Sequence, residues 1–224
     1  MTAAHQLTFF DQVGEPTLGS LDEMRRIELS DGAWVDVLPG WLSGSDELLE
    51  RLLRDVPWRG ERRQMYDRVL DTPRLLCWYS GETGFPHPVL TEARDRLTAH
   101  YAGELREPFV TAGLCLYRDG RDSVAWHGDR IGRGATENTM VAILSVGSER
   151  YLMLRPRKAD TTSRSQSTSG AAAVGHRSVK IPSGHGDLLV MGGSCQRTWE
   201  HAIPKTAQVV GPRISIQFRP MGVA

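Results

Sequence analysis

The chain has 224 residues, with 27 basic and 27 acidic side chains and therefore no net charge. Hydrophobic residues make up 40% and charged residues 24%, which is typical of one soluble globular domain with a full core. This balance excludes a global basic field for a polyanionic partner, so any nucleic-acid surface has to be a local patch.

Two helices are predicted in the first half of the chain. Residues 46–55 place four leucines on one face, and Ser45 is the predicted N-cap. Residues 88–100 begin with Pro88, carry an apolar stripe and are predicted to end at Gly103. We expect both helices to brace one side of a sheet.

The pattern changes to short strands and Gly-rich turns from residue 109 onward. Strands are predicted at 34–38, 112–117, 123–127, 140–146, 151–156, 187–191 and 213–218. The runs 140–146 and 151–156 are predicted to pair across Gly147 and Ser148. Short, evenly spaced strands are typical of a sandwich or jelly roll, so the predicted fold class is α+β.

One stretch within the strand region is polar and basic. Residues 161–169 read TTSRSQSTS, and residues 151–180 hold six Lys or Arg against the single acid Asp160. This composition predicts a mobile basic loop at 155–180.

The cysteines and the N-terminus bear on location. Cys77, Cys115 and Cys195 are odd in number and widely spaced, which argues against a disulfide framework or a thiolate zinc site and favours a reducing cytoplasm. The first residues resemble no signal peptide, and no apolar run approaches the about 18 residues of a membrane span. We expect a cytoplasmic protein with no membrane partner.

An H-x-D motif supplies the first candidate metal ligands. Alternate residues of a strand point to the same face, so His127 and Asp129 can meet one ion. Two histidines and one carboxylate form the ligand set of non-haem Fe(II) oxygenases, although H-x-D alone is a weak signal. His201 is the preferred third ligand, and His185 competes with it.

Two arginines on the last predicted strand favour His201. Arg213 and Arg219 follow it by 12 and 18 residues, and their even separation lets both point into the barrel. Arginine suits a carboxylate because its planar fork makes two parallel charge-assisted hydrogen bonds. The pair therefore indicates a site for a carboxylate-bearing co-substrate.

Three runs, at 116–129, 185–205 and 212–219, resemble the AlkB family of Fe(II)- and 2-oxoglutarate-dependent nucleic-acid dealkylases. The resemblance is dense over 109–219 and looser over 34–101, where 73–79 is similar to the family's nucleotide-recognition segment. It implies a double-stranded β-helix (jelly-roll) core at 109–224. It also implies an N-terminal extension at 1–108 that carries bracing helices and a nucleotide-recognition lid, within one integrated catalytic domain.

The resemblance also implies roles for individual residues. Fe(II) would be bound by His127, Asp129 and His201. The co-substrate 2-oxoglutarate would be bound by Arg213 and Tyr117, with Arg219 and, where many relatives have asparagine, Cys115 and Ser215. The substrate base would be contacted by Trp78, Tyr79 and Arg130.

The implied activity is oxidative removal of alkyl groups from base nitrogens of damaged DNA by a monomer, using dioxygen and releasing formaldehyde, succinate and carbon dioxide. Three alternatives stay open. The same chemistry could act on modified RNA or on a protein side chain. The chain could be a non-enzymatic nucleic-acid-binding module, or a cupin-like isomerase, which Arg213 and Arg219 disfavour.

Overall fold

A computed structural model of the chain describes residues 14–65, 68–80, 83–128, 132–157 and 178–223, and describes the backbone alone for 61–65 and 68–71. Asp129, Arg130 and most of the predicted basic loop lie outside the described residues. The strands are β1 Thr17–Leu18, β2 Arg25–Glu28, β3 Ala33–Leu38, β4 Leu42–Ser43, β5 Arg59–Met65, β6 Arg68–Tyr79, β7 Thr111–Tyr117, β8 Val124–His127, β9 Val141–Gly147, β10 Arg150–Pro156, β11 Val179–Ser183, β12 Leu188–Gly193, β13 Trp199–Ile203 and β14 Arg213–Arg219. The helices are α1 Ser45–Asp55, α2 Pro88–His100, α3 Ala102–Leu105 and α4 Cys195–Thr198.

The strands form two facing antiparallel sheets. An eight-stranded sheet has the order β2-β3-β12-β9-β14-β7-β6-β5, a four-stranded sheet has the order β11-β10-β13-β8, and β1 pairs with β4. From β7 to β14 the chain passes repeatedly between the two sheets, which is the winding of a double-stranded β-helix. The predicted core is confirmed, and β2, β3, β5 and β6 extend its larger sheet. The division of the chain at residue 108 stays a prediction.

The predicted pairing of 140–146 with 151–156 is wrong. β9 pairs with β12 and β14, whereas β10 pairs with β11 and β13. The backbone donors of the turn bond elsewhere: Gly147 N–H donates to His185 Nδ1 at 2.8 Å, and Ser148 N–H donates to the Pro212 carbonyl at 2.9 Å. The turn therefore carries the chain from one sheet to the other instead of closing a hairpin.

Both predicted helices are present and cover the outer face of the larger sheet. Their buried faces are formed by Leu48, Leu49 and Leu52 of α1 and by Val89, Leu90, Ala93 and Leu97 of α2. These side chains join the buried cluster that includes the outward residues of β9, β12 and β14. Burial of apolar surface thus fixes the helices on the side of the sheet away from the site.

The helix ends differ from the prediction in two details. Gly44, in the left-handed region at φ 68°, precedes α1, and the Ser45 hydroxyl donates to the Leu42 carbonyl at 2.8 Å instead of capping the helix. Gly103 does not end α2, because Tyr101 follows its last residue and Gly103 lies within α3. Tyr101 is buried, with its hydroxyl donating to Asp36 at 2.8 Å, so tertiary contacts override the glycine signal.

The inner face of the larger sheet packs on the smaller one. Leu152, Leu154 and Ile181 of the small sheet share a buried cluster with Ile143 and Met191 of the large sheet. Where these apolar contacts stop, the facing strands carry histidine, arginine and serine instead. The two sheets therefore provide a rigid frame for a polar site between them.

Candidate iron and co-substrate site

Two imidazoles lie side by side on the small sheet. His127 ends β8 and pairs directly with His201 of the neighbouring strand β13. Their ring centroids are 4.2 Å apart. The structure thus brings together two of the three residues predicted to bind metal, while Asp129 lies outside the described residues. Among those described, no group of three or more His, Cys, Asp or Glu side chains is placed to hold a metal ion.

Both imidazoles are suited to metal binding in their neutral form. Burial lowers the pKa of His201 well below its usual value. The pKa of His127 is also lowered, with burial of the ring as the first cause, although His127 as a whole residue is exposed to solvent. His127 Nδ1 lies 2.9 Å from the Ala125 carbonyl, so a proton on Nδ1 leaves the Nε2 lone pair for a metal. His201 Nδ1 is buried with no hydrogen-bond partner in the described part of the chain. These donors fit Fe(II).

His185, the alternative third ligand, is held elsewhere. Its Nδ1 accepts the Gly147 N–H at 2.8 Å, and its Nε2 lies 3.3 Å from the Asp46 carboxylate. His185 therefore links the turn after β9 to the start of α1, and the geometry favours His201 as the partner of His127.

Gly128, between the two residues of the H-x-D motif, passes close to the backbone of the neighbouring segment. A Cβ atom there would lie 2.8 Å from the Trp199 carbonyl oxygen and 3.2 Å from that of Gln196. A side chain would therefore push β8 away from β13, the strand that carries His201. The absence of a side chain at 128 keeps the two imidazoles together.

Arg213 is a buried cation with unused hydrogen-bond donors. It begins β14 and is 2% exposed. Its Nη2 donates to Ser145 Oγ at 2.7 Å and to Ser183 Oγ at 3.0 Å, whereas Nε and Nη1 are buried without a partner among the described residues. Burial lowers the pKa of this arginine, which shows that the protein solvates the charge poorly. A carboxylate would satisfy both the charge and the free N–H groups, so the site fits the far end of 2-oxoglutarate.

Tyr117 lies beside this arginine, as the sequence predicted. The centroid of its buried ring lies 5.4 Å from the Arg213 guanidinium and 5.8 Å from the Arg150 guanidinium. Burial raises the pKa of the phenol, so it stays protonated at any physiological pH. Arg150 in turn donates to the carbonyls of Asp119, Asp122 and Pro204, which fixes the turn between β7 and β8.

Gln217 is a site residue that the sequence reading missed. Its Nε2 donates to Ser215 Oγ at 3.2 Å and to Cys115 Sγ at 3.5 Å, while its Oε1 accepts from Arg219 Nη2 at 2.5 Å. The side-chain amide thus links three residues predicted to surround the co-substrate. The strict alternation of Arg213, Ser215, Gln217 and Arg219 along β14 was the signal that could have found it.

Trp78 is an exposed aromatic platform at the edge of the site. Its side chain lies over Gly113, where a Cβ would come within 2.9 Å of the ring, and the Arg219 guanidinium is 5.0 Å from the ring centroid. The residue is 54% exposed, so much of the ring is open to a ligand.

Tyr79 lies on the opposite face of β6 from Trp78, and its predicted contact with the substrate base stays a prediction. Successive residues of a strand point to opposite faces, and Tyr79 packs against the cluster under the helices. Burial, followed by a hydrogen bond with Cys77, raises the pKa of Tyr79 to about 12.

The predicted contact of Arg130 with substrate lies outside the described residues. Within the described part, no helix is long and apolar enough to cross a membrane.

The chain matches the family model of the 2OG-Fe(II) oxygenase superfamily over residues 35–219. It is 33% identical over 206 residues to the alpha-ketoglutarate-dependent dioxygenase alkB homolog 3 of Bos taurus, covering 83% of this chain and 65% of that protein. It is 28% identical over 238 residues to the DNA oxidative demethylase ALKBH2 of Arabidopsis thaliana, covering 95% of this chain and 74% of that protein. The chain thus spans just under two thirds of alkB homolog 3.

Solved structures share the fold at low sequence identity. A prolyl hydroxylase from Trichoplax adhaerens, in complex with a hypoxia-inducible factor peptide, superposes with a TM-score of 0.56 at 14% identity, covering 85% of this chain and 84% of that chain. OsALKBH1 superposes with a TM-score of 0.52 at 13% identity, covering 88% and 100%. The family uses Fe(II), 2-oxoglutarate and dioxygen, which agrees with the cofactors predicted here. The chain belongs to the 2OG-Fe(II) oxygenase superfamily, and its resemblance to the AlkB family is confirmed.

Proposed function

We propose that this protein is an Fe(II)- and 2-oxoglutarate-dependent demethylase that removes methyl groups from nitrogen atoms of alkylated DNA bases. The observation that carries the proposal is the pair of adjacent imidazoles, His127 and His201, on a sheet that faces the one holding Arg213, whose Nε and Nη1 have no partner among the described residues. The names of the relatives support the substrate class, because ALKBH2 of Arabidopsis thaliana and of Homo sapiens is a DNA oxidative demethylase.

The metal would be bound by His127, Asp129 and His201. When bound, Fe(II) with dioxygen and 2-oxoglutarate supplies the oxidising power that removes a methyl group as formaldehyde. Burial lowers the pKa of both imidazoles, which favours the neutral form whose lone pair can bind a metal. Gly128 keeps the two strands close enough for both rings to reach one ion.

The co-substrate would be held at its far carboxylate by Arg213, beside the protonated Tyr117. The Nε and Nη1 atoms of Arg213 have no partner among the described residues, and the surrounding burial strengthens a charge-assisted hydrogen bond from either of them. Ser215 and Cys115 stand where many members of the AlkB family have asparagine, and the side-chain amide of Gln217 donates to both of them.

The substrate base would stack on Trp78. A base must leave the duplex stack to reach a buried metal, and an exposed aromatic ring offers a replacement surface. Gly113 and Arg219 support this ring from the protein side and leave its outer side exposed. The equal numbers of basic and acidic residues favour local contacts with the nucleic acid over a broad electrostatic surface. The monomeric state and the cytoplasmic location stay predictions.

The test is a product assay on a matched substrate panel. Fe(II)-loaded protein is incubated with 2-oxoglutarate and with N-methylated or unmethylated DNA and RNA oligonucleotides, and succinate and formaldehyde are measured. We expect equal amounts of both products from methylated DNA, and none from the unmethylated strand or with an Asp129→Ala variant.

Other outcomes of this assay identify the alternatives. Turnover of methylated RNA alone would replace DNA as the substrate. Succinate release that no oligonucleotide stimulates would favour a protein side chain. Oligonucleotide binding without succinate from any substrate would contradict an enzymatic role and favour a binding module.

A further inference from the structure

We propose that Ser145 and Ser183 form a clamp that fixes the Arg213 guanidinium, so that the two hydroxyls act as positioning residues for the far carboxylate of 2-oxoglutarate. The inference rests on the proposed co-substrate role of Arg213 and extends it to two residues that the sequence reading did not single out.

The clamp is a closed set of three hydrogen bonds. Arg213 Nη2 donates to Ser145 Oγ at 2.7 Å and to Ser183 Oγ at 3.0 Å, and the two hydroxyls lie 2.7 Å from each other. Both serines are completely buried. Hydrogen bonds of this length to a charged donor are stronger than those between neutral groups, and exclusion of water strengthens them further.

The clamp joins the two sheets at the site. Arg213 and Ser145 lie on β14 and β9 of the large sheet, and Ser183 ends β11 of the small sheet. The guanidinium is therefore held from both sides of the barrel. The packing of the two sheets therefore fixes its orientation before a ligand binds. A freely rotating arginine side chain would instead lose conformational entropy when the ligand binds.

The clamp also decides which part of the guanidinium meets the ligand. Nη2 carries two hydrogens, and the two serines accept both. The groups left over are Nε and Nη1, which are buried and have no partner among the described residues. Nε and Nη1 lie on different edges of the guanidinium, so a carboxylate that approaches either edge finds one free donor already oriented by the clamp. Without the hydroxyls the guanidinium could rotate and direct Nη2 toward solvent or ligand at random.

Selectivity for a dicarboxylate isolates this role from metal binding. 2-Oxoglutarate and 2-oxopentanoate share the end that meets the metal, but only 2-oxoglutarate has the far carboxylate. The ratio of their affinities therefore reports on the groups that meet the far carboxylate, among which Arg213 supplies the charge, and not on the metal end of the site. A general loosening of the site would weaken both compounds together and leave the ratio unchanged.

The experiment measures both affinities by calorimetry without dioxygen, using Mn(II)-loaded wild-type protein and the variants Ser145→Ala and Ser183→Ala. We expect each variant to lower the preference for 2-oxoglutarate by about tenfold, with 2-oxopentanoate binding unchanged. Ser45→Ala is the matched control, because this buried serine bonds only a local carbonyl at the start of α1 in the contacts described here. Thermal unfolding of each variant checks that the fold is kept.

Two results overturn the proposal in distinguishable ways. If both serine variants keep the full wild-type preference, or weaken both compounds equally, the clamp does not position Arg213. If the wild-type protein itself does not prefer 2-oxoglutarate over 2-oxopentanoate, the co-substrate role of Arg213 fails, and the clamp fails with it.

Discussion

Replacing Arg213 by methionine separates binding from folding. The substitution removes a buried cation that has no ion pair within the described residues, while Ser145 and Ser183 keep their mutual hydrogen bond of 2.7 Å. Exchanging a poorly solvated buried charge for an apolar side chain of similar length is often neutral or stabilising. We therefore expect the thermal unfolding midpoint of the ligand-free Arg213→Met protein to stay equal or to rise.

Co-substrate binding should change in the opposite direction. Each hydrogen bond to a charged group contributes about 1.5–3 kcal/mol, which corresponds to roughly 10- to 150-fold in affinity per bond. Arg213→Met should therefore weaken 2-oxoglutarate by at least about tenfold, and Arg213→Lys should fall between, because it keeps the charge without the planar fork.

The assay is a calorimetric titration of Mn(II)-loaded protein paired with thermal unfolding of the ligand-free form. Arg54→Met is the matched control, since Arg54 is exposed and bonds only Asp55 in the contacts described here. A large loss of stability in Arg213→Met with unchanged 2-oxoglutarate affinity would refute the reasoning, because Arg213 would then be structural.

Three further substitutions probe other parts of the site. Trp78→Ala should raise the Michaelis constant for a methylated oligonucleotide by roughly 5- to 150-fold, because about 1–3 kcal/mol of stacking is lost, and should leave the Michaelis constant for 2-oxoglutarate unchanged. If the variant and the wild type have the same Michaelis constant for the oligonucleotide, the base does not stack on Trp78. Gly128→Ala should weaken metal affinity in a Mn(II) titration because the new Cβ meets the Trp199 carbonyl at 2.8 Å, and wild-type affinity would contradict this. Arg150→Met leaves three backbone carbonyls without their donor and should lower the free energy of unfolding in a denaturant titration by about 3 kcal/mol; an unchanged value would show that water replaces the guanidinium.

The sequence predicted the core because its signals were periodic. The strands at 112–117 and 213–218 and the helices at 46–55 and 88–100 alternate or repeat over whole elements, and the structure places them within one or two residues. The strands β11 and β13 were not predicted. β11 and β13 are five residues each, and β13 includes Glu200 and His201, so hydrophobic alternation is weak there.

The pairing of the strands and the contacts between the two sheets could not be predicted from the sequence. A glycine turn between two strands is the usual sign of a hairpin, but the segment at Gly147 has its donors taken by His185 and Pro212, which are distant in the chain. Arg213 is 68 residues from Ser145 and 30 residues from Ser183 in the chain, so no sequence motif contains these contacts. Such contacts depend on how the two sheets pack, which no local pattern encodes.

Part of the candidate site could be predicted because strand alternation orders it. Alternation placed Arg213 and Arg219 on one face, and the same rule applied to β6 would have separated Trp78 from Tyr79. The choice between His201 and His185 could not be made from spacing, since both lie near strands. It required the contacts of His185 with Gly147 and Asp46.

The central claim is that His127 and His201 belong to one metal centre, and metal binding tests it most directly. Purified wild-type, His201→Ala and His185→Ala proteins are titrated with Mn(II), and bound metal is quantified after removal of the excess. The account predicts stoichiometric metal in the wild type and in His185→Ala, and loss of tight binding in His201→Ala. Metal retained by His201→Ala and lost by His185→Ala would contradict it.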